Sequence, residues 1–252
     1  MVTQGTPPGR GRNAAGSGPG PVASEDGPFS HPTFTINGGD AGRRAMTRRR
    51  DPAWVWMIGA FGGALALAVA VLAAHGTGPD GLRLGVRVTA RWAFLFFWLS
   101  YTGGALAIVF RPAFAGLARQ ARGLGLAFAT ALQVHIGLVV WLGVVMGQIP
   151  LQGRVLWFFL VALIFTYLLA LLSFRIGMRH LGRLFRPLLF LGTTYILIAF
   201  GSDFVPGALN QKTQQWLYAA EYVPFALLSL IAIPLRLAGF LRQRFGLRSA
   251  TA

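Results

Sequence analysis

One imidazole stands out among the side chains able to do chemistry. His135 falls in the middle of the apolar stretch Gly123–Gly147. A charge-capable group inside lipid is costly, so function is its default reading. A neutral imidazole ligates iron well, its second ring nitrogen held by a partner such as Gln133 or a threonine. The alternative is a neutral core histidine hydrogen-bonded to Tyr101, Tyr167 or Tyr195, which avoids most of the cost of burying a charge.

Other polar residues fall near the centres of neighbouring apolar runs. These are Ser100, Tyr101 and Thr102 in the second run, Gln133 in the third, Thr166 and Tyr167 in the fourth, and Thr193, Thr194 and Tyr195 in the fifth. If the runs are straight helices, these groups form a buried polar layer at mid-depth. Such a layer serves either as interhelical hydrogen-bonding glue or as a cofactor, quinone or proton site around His135. His31, His75 and His180 have no metal-ligand spacing with one another or with a carboxylate, so no metal site is expected. The chain has no cysteine, which removes disulfides and thiolate chemistry. No Ser/His/Asp arrangement, phosphate-binding loop or dinucleotide fingerprint is visible. No catalytic residue can be named. Any electron donor has to be a separate redox partner protein or a lipid quinone.

The elements that must position these residues are transmembrane helices. The 252 residues are 54% hydrophobic and only 12% charged, about half the charge of a soluble domain. Mean hydropathy is +0.57. Six apolar runs, Trp54–Ala74, Trp92–Phe110, Gly123–Gly147, Val155–Phe174, Pro187–Gly201 and Val223–Leu241, read as membrane-spanning helices, the fifth and shortest with its start expected inside Leu181–Arg186. The fold class expected is all-α, a six-helix transmembrane bundle over residues 51–245. Residues 1–50 form a disordered Gly/Pro-rich basic tail and residues 246–252 a short second tail. Met46, before Thr-Arg-Arg-Arg-Asp-Pro, reads as the true start. Pro224 sits at a helix start and Pro234 predicts a kink. Gly59 with Gly63, and Gly143 with Gly147, have the spacing of close helix contacts.

The net charge of +16 is not a nucleic-acid footprint, because the arginines flank the apolar runs. With the N-terminus inside, sixteen basic residues fall in inner segments. Only Arg83, Arg87, Arg91, Arg154 and Lys212 fall in outer ones. This positive-inside bias places both termini in the cytoplasm and allows contact with anionic lipid headgroups. The Arg/Ala/Gly-rich composition suggests a bacterial inner membrane protein. Asp80, Asp203 and Glu221 agree by lying outside, the last two flanking or within a long outer loop, Ser202–Tyr222. No carboxylate is expected within the membrane, which argues against an ion-coupled transporter.

Between Thr89 and Ser173 the pattern resembles the ferric reductase-like transmembrane family. That family includes the haem subunit of bacterial methionine sulfoxide reductase and the membrane part of NADPH oxidases. The resemblance rests on Ala90-Arg91-Trp92-Ala93 entering an apolar helix, on Arg119-Gln120-Ala121-Arg122-Gly123-Leu124-Gly125 leading to Gln133-Val134-His135, and on Leu169–Ser173 followed by Arg179-His180-Leu181-Gly182-Arg183. It implies electron transfer through haem b, with His135 as a haem ligand. Where the family places a further haem histidine, this chain reads Leu184–Leu191, and Leu189 is the nearest match. A bis-histidine haem therefore cannot form within one chain. The resemblance implies a subunit with altered haem ligation or with haem lost, and in the latter case a membrane scaffold or assembly partner.

Overall fold

The computed structural model describes residues 53–110, 113–148, 151–173, 184–209 and 216–245, the side chains of 216–220 excepted. The tails 1–50 and 246–252, Met46, His31 and His180 lie outside the described residues. Apart from short turns, the described residues are helical, with no strand among them. In chain order the helices are α1 (Ala53–His75), α2 (Pro79–Val109), α3 (Ala115–Met146), α4 (Gly153–Leu172), α5 (Phe185–Leu209) and α6 (Trp216–Arg244). All six are long and apolar enough to cross a membrane.

The packing inverts the pattern of a soluble bundle. On α1 the buried residues are Ala60, Ala64 and Ala68, a small-residue stripe at i, i+4, i+8. Trp54, Ile58 and Val69 on the same helix are exposed. Water would penalise such a surface, but lipid does not, and small residues inside let the backbones approach. At Gly63 an added Cβ would stand 2.7 Å from Trp92 Cζ2, and Trp92 Nε1 donates to the Ala60 carbonyl at 3.0 Å. Gly63 thus makes the close contact its spacing suggested, whereas Gly59 faces open space. Gly147 has another use. With φ +65° it is the left-handed C-cap of α3, a conformation glycine adopts without a Cβ penalty.

α2 and α3 form the central antiparallel pair. α1 lies against both, α6 against α2, α5 against α6, and α4 against α5 with little contact to α3. The centre is aromatic. Phe94 stands 5.0 Å from Phe204 and 5.2 Å from Phe200, and Phe97 stands 5.2 Å from Phe128, between ring centroids. Phe94 and Phe204 are almost completely buried. A second cluster, Ala68, Leu82, Leu138 and Leu142, closes α1, α2 and α3 at one end.

Several helices outrun their apolar cores. α2 begins at Pro79, not Trp92, and has 31 residues. That is about 46 Å at 1.5 Å per residue, well beyond the roughly 30 Å of bilayer hydrocarbon. Arg83, Arg87 and Arg91 are therefore helical residues at i, i+4 and i+8, opposite Leu82, Gly85 and Thr89, which are buried. α5 and α6 likewise extend into the expected outer loop. Asp203 and Glu221 stand on helices, contrary to the expectation that they lie in a loop outside the spans. Pro224 is interior to α6 and is not at its start. Pro206 is interior to α5.

The two ends of the bundle differ in charge. One carries Arg119, Arg122, Arg186, Arg236, Arg242 and Arg244. The other carries all three acidic residues among those described, Asp80, Asp203 and Glu221, with Arg83, Arg87, Arg91 and Arg154. They are called here the arginine-rich end and the acidic end.

Candidate functional site

His135 sits on the face of α3 that packs against α2. Its Nδ1 lies 3.0 Å from the Val86 carbonyl oxygen and 3.5 Å from Thr89 Oγ1. A carbonyl only accepts, so Nδ1 carries the proton in the Val86 bond and Nε2 keeps a lone pair. Thr89 is fully buried, and its hydroxyl donates locally, to Gly85 O at 2.8 Å. Val86 lies two turns from the start of α2, so His135 belongs to the acidic-end half of the bundle, just beneath the Leu82/Leu138 cluster.

The expected single polar layer is divided among several places. Thr102 is buried and donates to Trp98 O at 2.7 Å within its own helix. Tyr195 donates to Phe158 O at 3.1 Å, joining α5 to α4, with its ring beside Phe158 and Phe165. Gln133 is exposed and Tyr167 half-buried. Thr194 Oγ1 is buried with no hydrogen-bond partner among the described residues. None of Tyr101, Tyr167 or Tyr195 bonds to His135. The layer was inferred from the centre of each apolar run, but the helices overrun those centres by different amounts.

Tyr101 and Thr166 do come together, at the arginine-rich end. They line a cavity of about 280 Å³ between α2, α3, α4, α5 and α6. Ser100, Arg122, Ser173, Leu189, Thr193 and Arg236 line it too, with Phe97, Phe128 and Leu169 on its apolar walls. Arg236 Nη1 donates to Thr193 Oγ1 at 3.2 Å. Its guanidinium lies over the Tyr101 ring at 4.3 Å and the Phe190 ring at 5.1 Å. Ser100 donates to Ala121 O at 2.7 Å, tying α2 to α3 at the cavity wall. The sequence reading missed Arg122 and Arg236 because it used them only as orienting charges. Arg236 lies eight residues before the end of α6, about 12 Å along the helix, too deep for that role alone.

A third polar group occupies the acidic end. Arg91 Nη2 pairs with Glu221 Oε2 at 3.3 Å, and the guanidinium lies 4.9 Å from the Tyr222 ring. The Arg91 side chain is 11% exposed and Glu221 39%. Arg91 and Arg87 both act electrostatically on Asp203. Charged side chains of α2, α5 and α6 thus meet at one level.

These positions bear on whether the residues present fit haem. His135 is tied to α2 toward the acidic end. Leu189 lines the cavity one turn from the arginine-rich start of α5. The two face different levels, so a histidine at position 189 would not oppose His135 in this packing. Phe94, Phe97, Phe128 and Phe204 are buried in the core cluster, with Phe200 and Leu189 packed against it. The only other histidine among the described residues, His75, is exposed at the last residue of α1. Among the described residues, His135 and His75 cannot serve together as the two ligands of a bis-histidine haem. Comparison with known proteins found no matching family, no matching curated protein and no matching solved structure.

Proposed function

We propose that the chain is a multi-pass subunit of the bacterial inner membrane, of ferric reductase-like build, that works without a bis-histidine haem. In this reading it acts as a scaffold or assembly partner for another membrane protein. The observation that supports the reading is a separation of levels: His135 is tied to Val86 toward the acidic end, while Leu189 lines the cavity at the arginine-rich end. The arginine-rich end faces the cytoplasm, in line with the positive-inside bias. A visible spectrum of the full chain, purified from haem-replete cells, tests it. A colourless preparation is expected, oxidised and reduced. A Soret band that disappears in His135→Ala would overturn the reading.

One observation favours a second reading. With Nδ1–H held by a backbone carbonyl, the tautomer leaves the lone pair on Nε2, as in a metal-ligating imidazole. A single haem on His135, fed by a quinone or a redox partner protein, would use that atom. The same spectrum distinguishes the two readings.

A further inference from the structure

The cavity at the arginine-rich end contains two cations and no carboxylate. Arg83 pairs with Asp80 and Arg91 with Glu221. Arg122 and Arg236 have no ion-pair partner among the described residues, whose acidic side chains all lie at the other end. Arg236 is half-buried on a membrane-spanning helix. An uncompensated cation there is costly, and such residues ordinarily find an anion. Its guanidinium has five donors. Thr193 takes one, and the Tyr101 and Phe190 rings fix the plane. A guanidinium held this way is set to receive phosphate oxygens in a forked pair of bonds. Arg122 lines the same cavity but is exposed, which places it at the opening.

The walls and their gap say where the phosphate comes from. Phe97, Phe128 and Leu169 give the cavity an apolar side that an inorganic anion would not use. α4 packs on α5 and barely on α3, so the cavity is flanked by a weakly closed seam facing the bilayer. A ligand with an acyl chain can enter sideways and leave the chain in lipid. Basic pockets between membrane helices take anionic headgroups in this manner.

We propose that the cavity lined by Arg122 and Arg236 binds the phosphate of an anionic phospholipid, with its acyl chains leaving between α3 and α4. The proposal is independent of haem and of His135.

The full chain, reconstituted in nanodiscs of equal phosphatidylglycerol and phosphatidylcholine, tests it by native mass spectrometry of the retained lipid. Phosphatidylglycerol is expected to be retained over phosphatidylcholine by about tenfold. Arg236→Gln and Arg122→Gln should each lower that ratio, while Arg244→Gln, at the exposed end of α6, should leave it unchanged. Arg236→Lys, which keeps the charge but loses the fork, should fall between. Equal retention of the two lipids by the wild-type chain overturns the proposal whatever the variants do. So does an equal loss in Arg244→Gln, which would mean general surface charge. Millimolar inorganic phosphate is added in a parallel arm. Displacement of phosphatidylglycerol by it would assign the site to a free anion and overturn the lipid as its source.

Discussion

The Nδ1 atom of His135 on α3 lies 3.0 Å from the carbonyl oxygen of Val86 on α2. This joins the two central helices at a carbonyl that α2 also uses for its own hydrogen bonding. Thr89, one turn further along α2, bonds its own helix and stands only at the edge of the imidazole's reach, at 3.5 Å. The Val86 carbonyl is therefore the contact that fixes the ring.

His135→Leu should cost about 1 kcal/mol, the usual net worth of one hydrogen bond and near the range measured between membrane helices. His135→Gln can still donate to Val86 and should cost less than His135→Leu. Thermal unfolding of the detergent-purified variants checks the order. If Gln proves as costly as Leu, the imidazole is being held by something other than its bond to Val86.

How much of this was legible in the sequence differs from helix to helix. α1 and α4 were readable because their apolar runs end where the helices end. α2 was not, because Arg83, Arg87 and Arg91 interrupt its hydropathy without interrupting its helix. A visible signal was present all the same: Leu82, Val86, Thr89 and Ala93 repeat at three- and four-residue intervals, a helical face continuing through the arginines. The polar layer failed for a related reason. Depth cannot be counted from the middle of an apolar run when α2 has 31 residues and α4 has 20. Tyr101 therefore lies toward the arginine-rich end, and His135 toward the other. The cavity was hidden because its cations come from α3 and α6, far apart in sequence, and only packing brings them to one space.

Gly63 and Gly59 make a paired test of the α1–α2 contact. A Cβ at Gly63 would stand 2.7 Å from Trp92 Cζ2, while one at Gly59 meets nothing within 4 Å. Gly63→Val should destabilise by about 1–3 kcal/mol, the usual cost of overpacking. Gly59→Ala should be neutral or stabilising by up to about 1 kcal/mol, from helix propensity alone. Unfolding midpoints of the two variants in detergent give the comparison. Equal destabilisation would mean that α1 is not seated on Trp92.

Arg91 and Glu221 should be coupled, but weakly. Glu221 is 39% exposed, so solvent screens much of the pair, and a double-mutant cycle with Arg91→Leu and Glu221→Gln should give about 1 kcal/mol or less. Arg91→Leu alone should cost more than Glu221→Gln alone, because it also removes the contact with the Tyr222 ring at 4.9 Å. The reverse order would place the main stabilisation on Glu221 and some partner other than Arg91.

Orientation can be read directly, because the chain has no cysteine and any introduced thiol is the sole reporter. Gln152 is exposed at the N-cap of α4, at the acidic end. Phe114, 39% exposed, is the N-cap of α3 at the arginine-rich end. In intact cells a membrane-impermeant maleimide should label Gln152→Cys and leave Phe114→Cys unlabelled until the membrane is opened. The physical basis is the separation of charge: all three described carboxylates stand at one end, and Arg119, Arg122, Arg236, Arg242 and Arg244 at the other. Arginine is retained on the cytoplasmic side during insertion, while carboxylates carry little orienting weight. The reverse labelling would put the arginine-rich cavity on the outer face. Labelling of both sites in intact cells would mean that the six helices do not all cross the membrane.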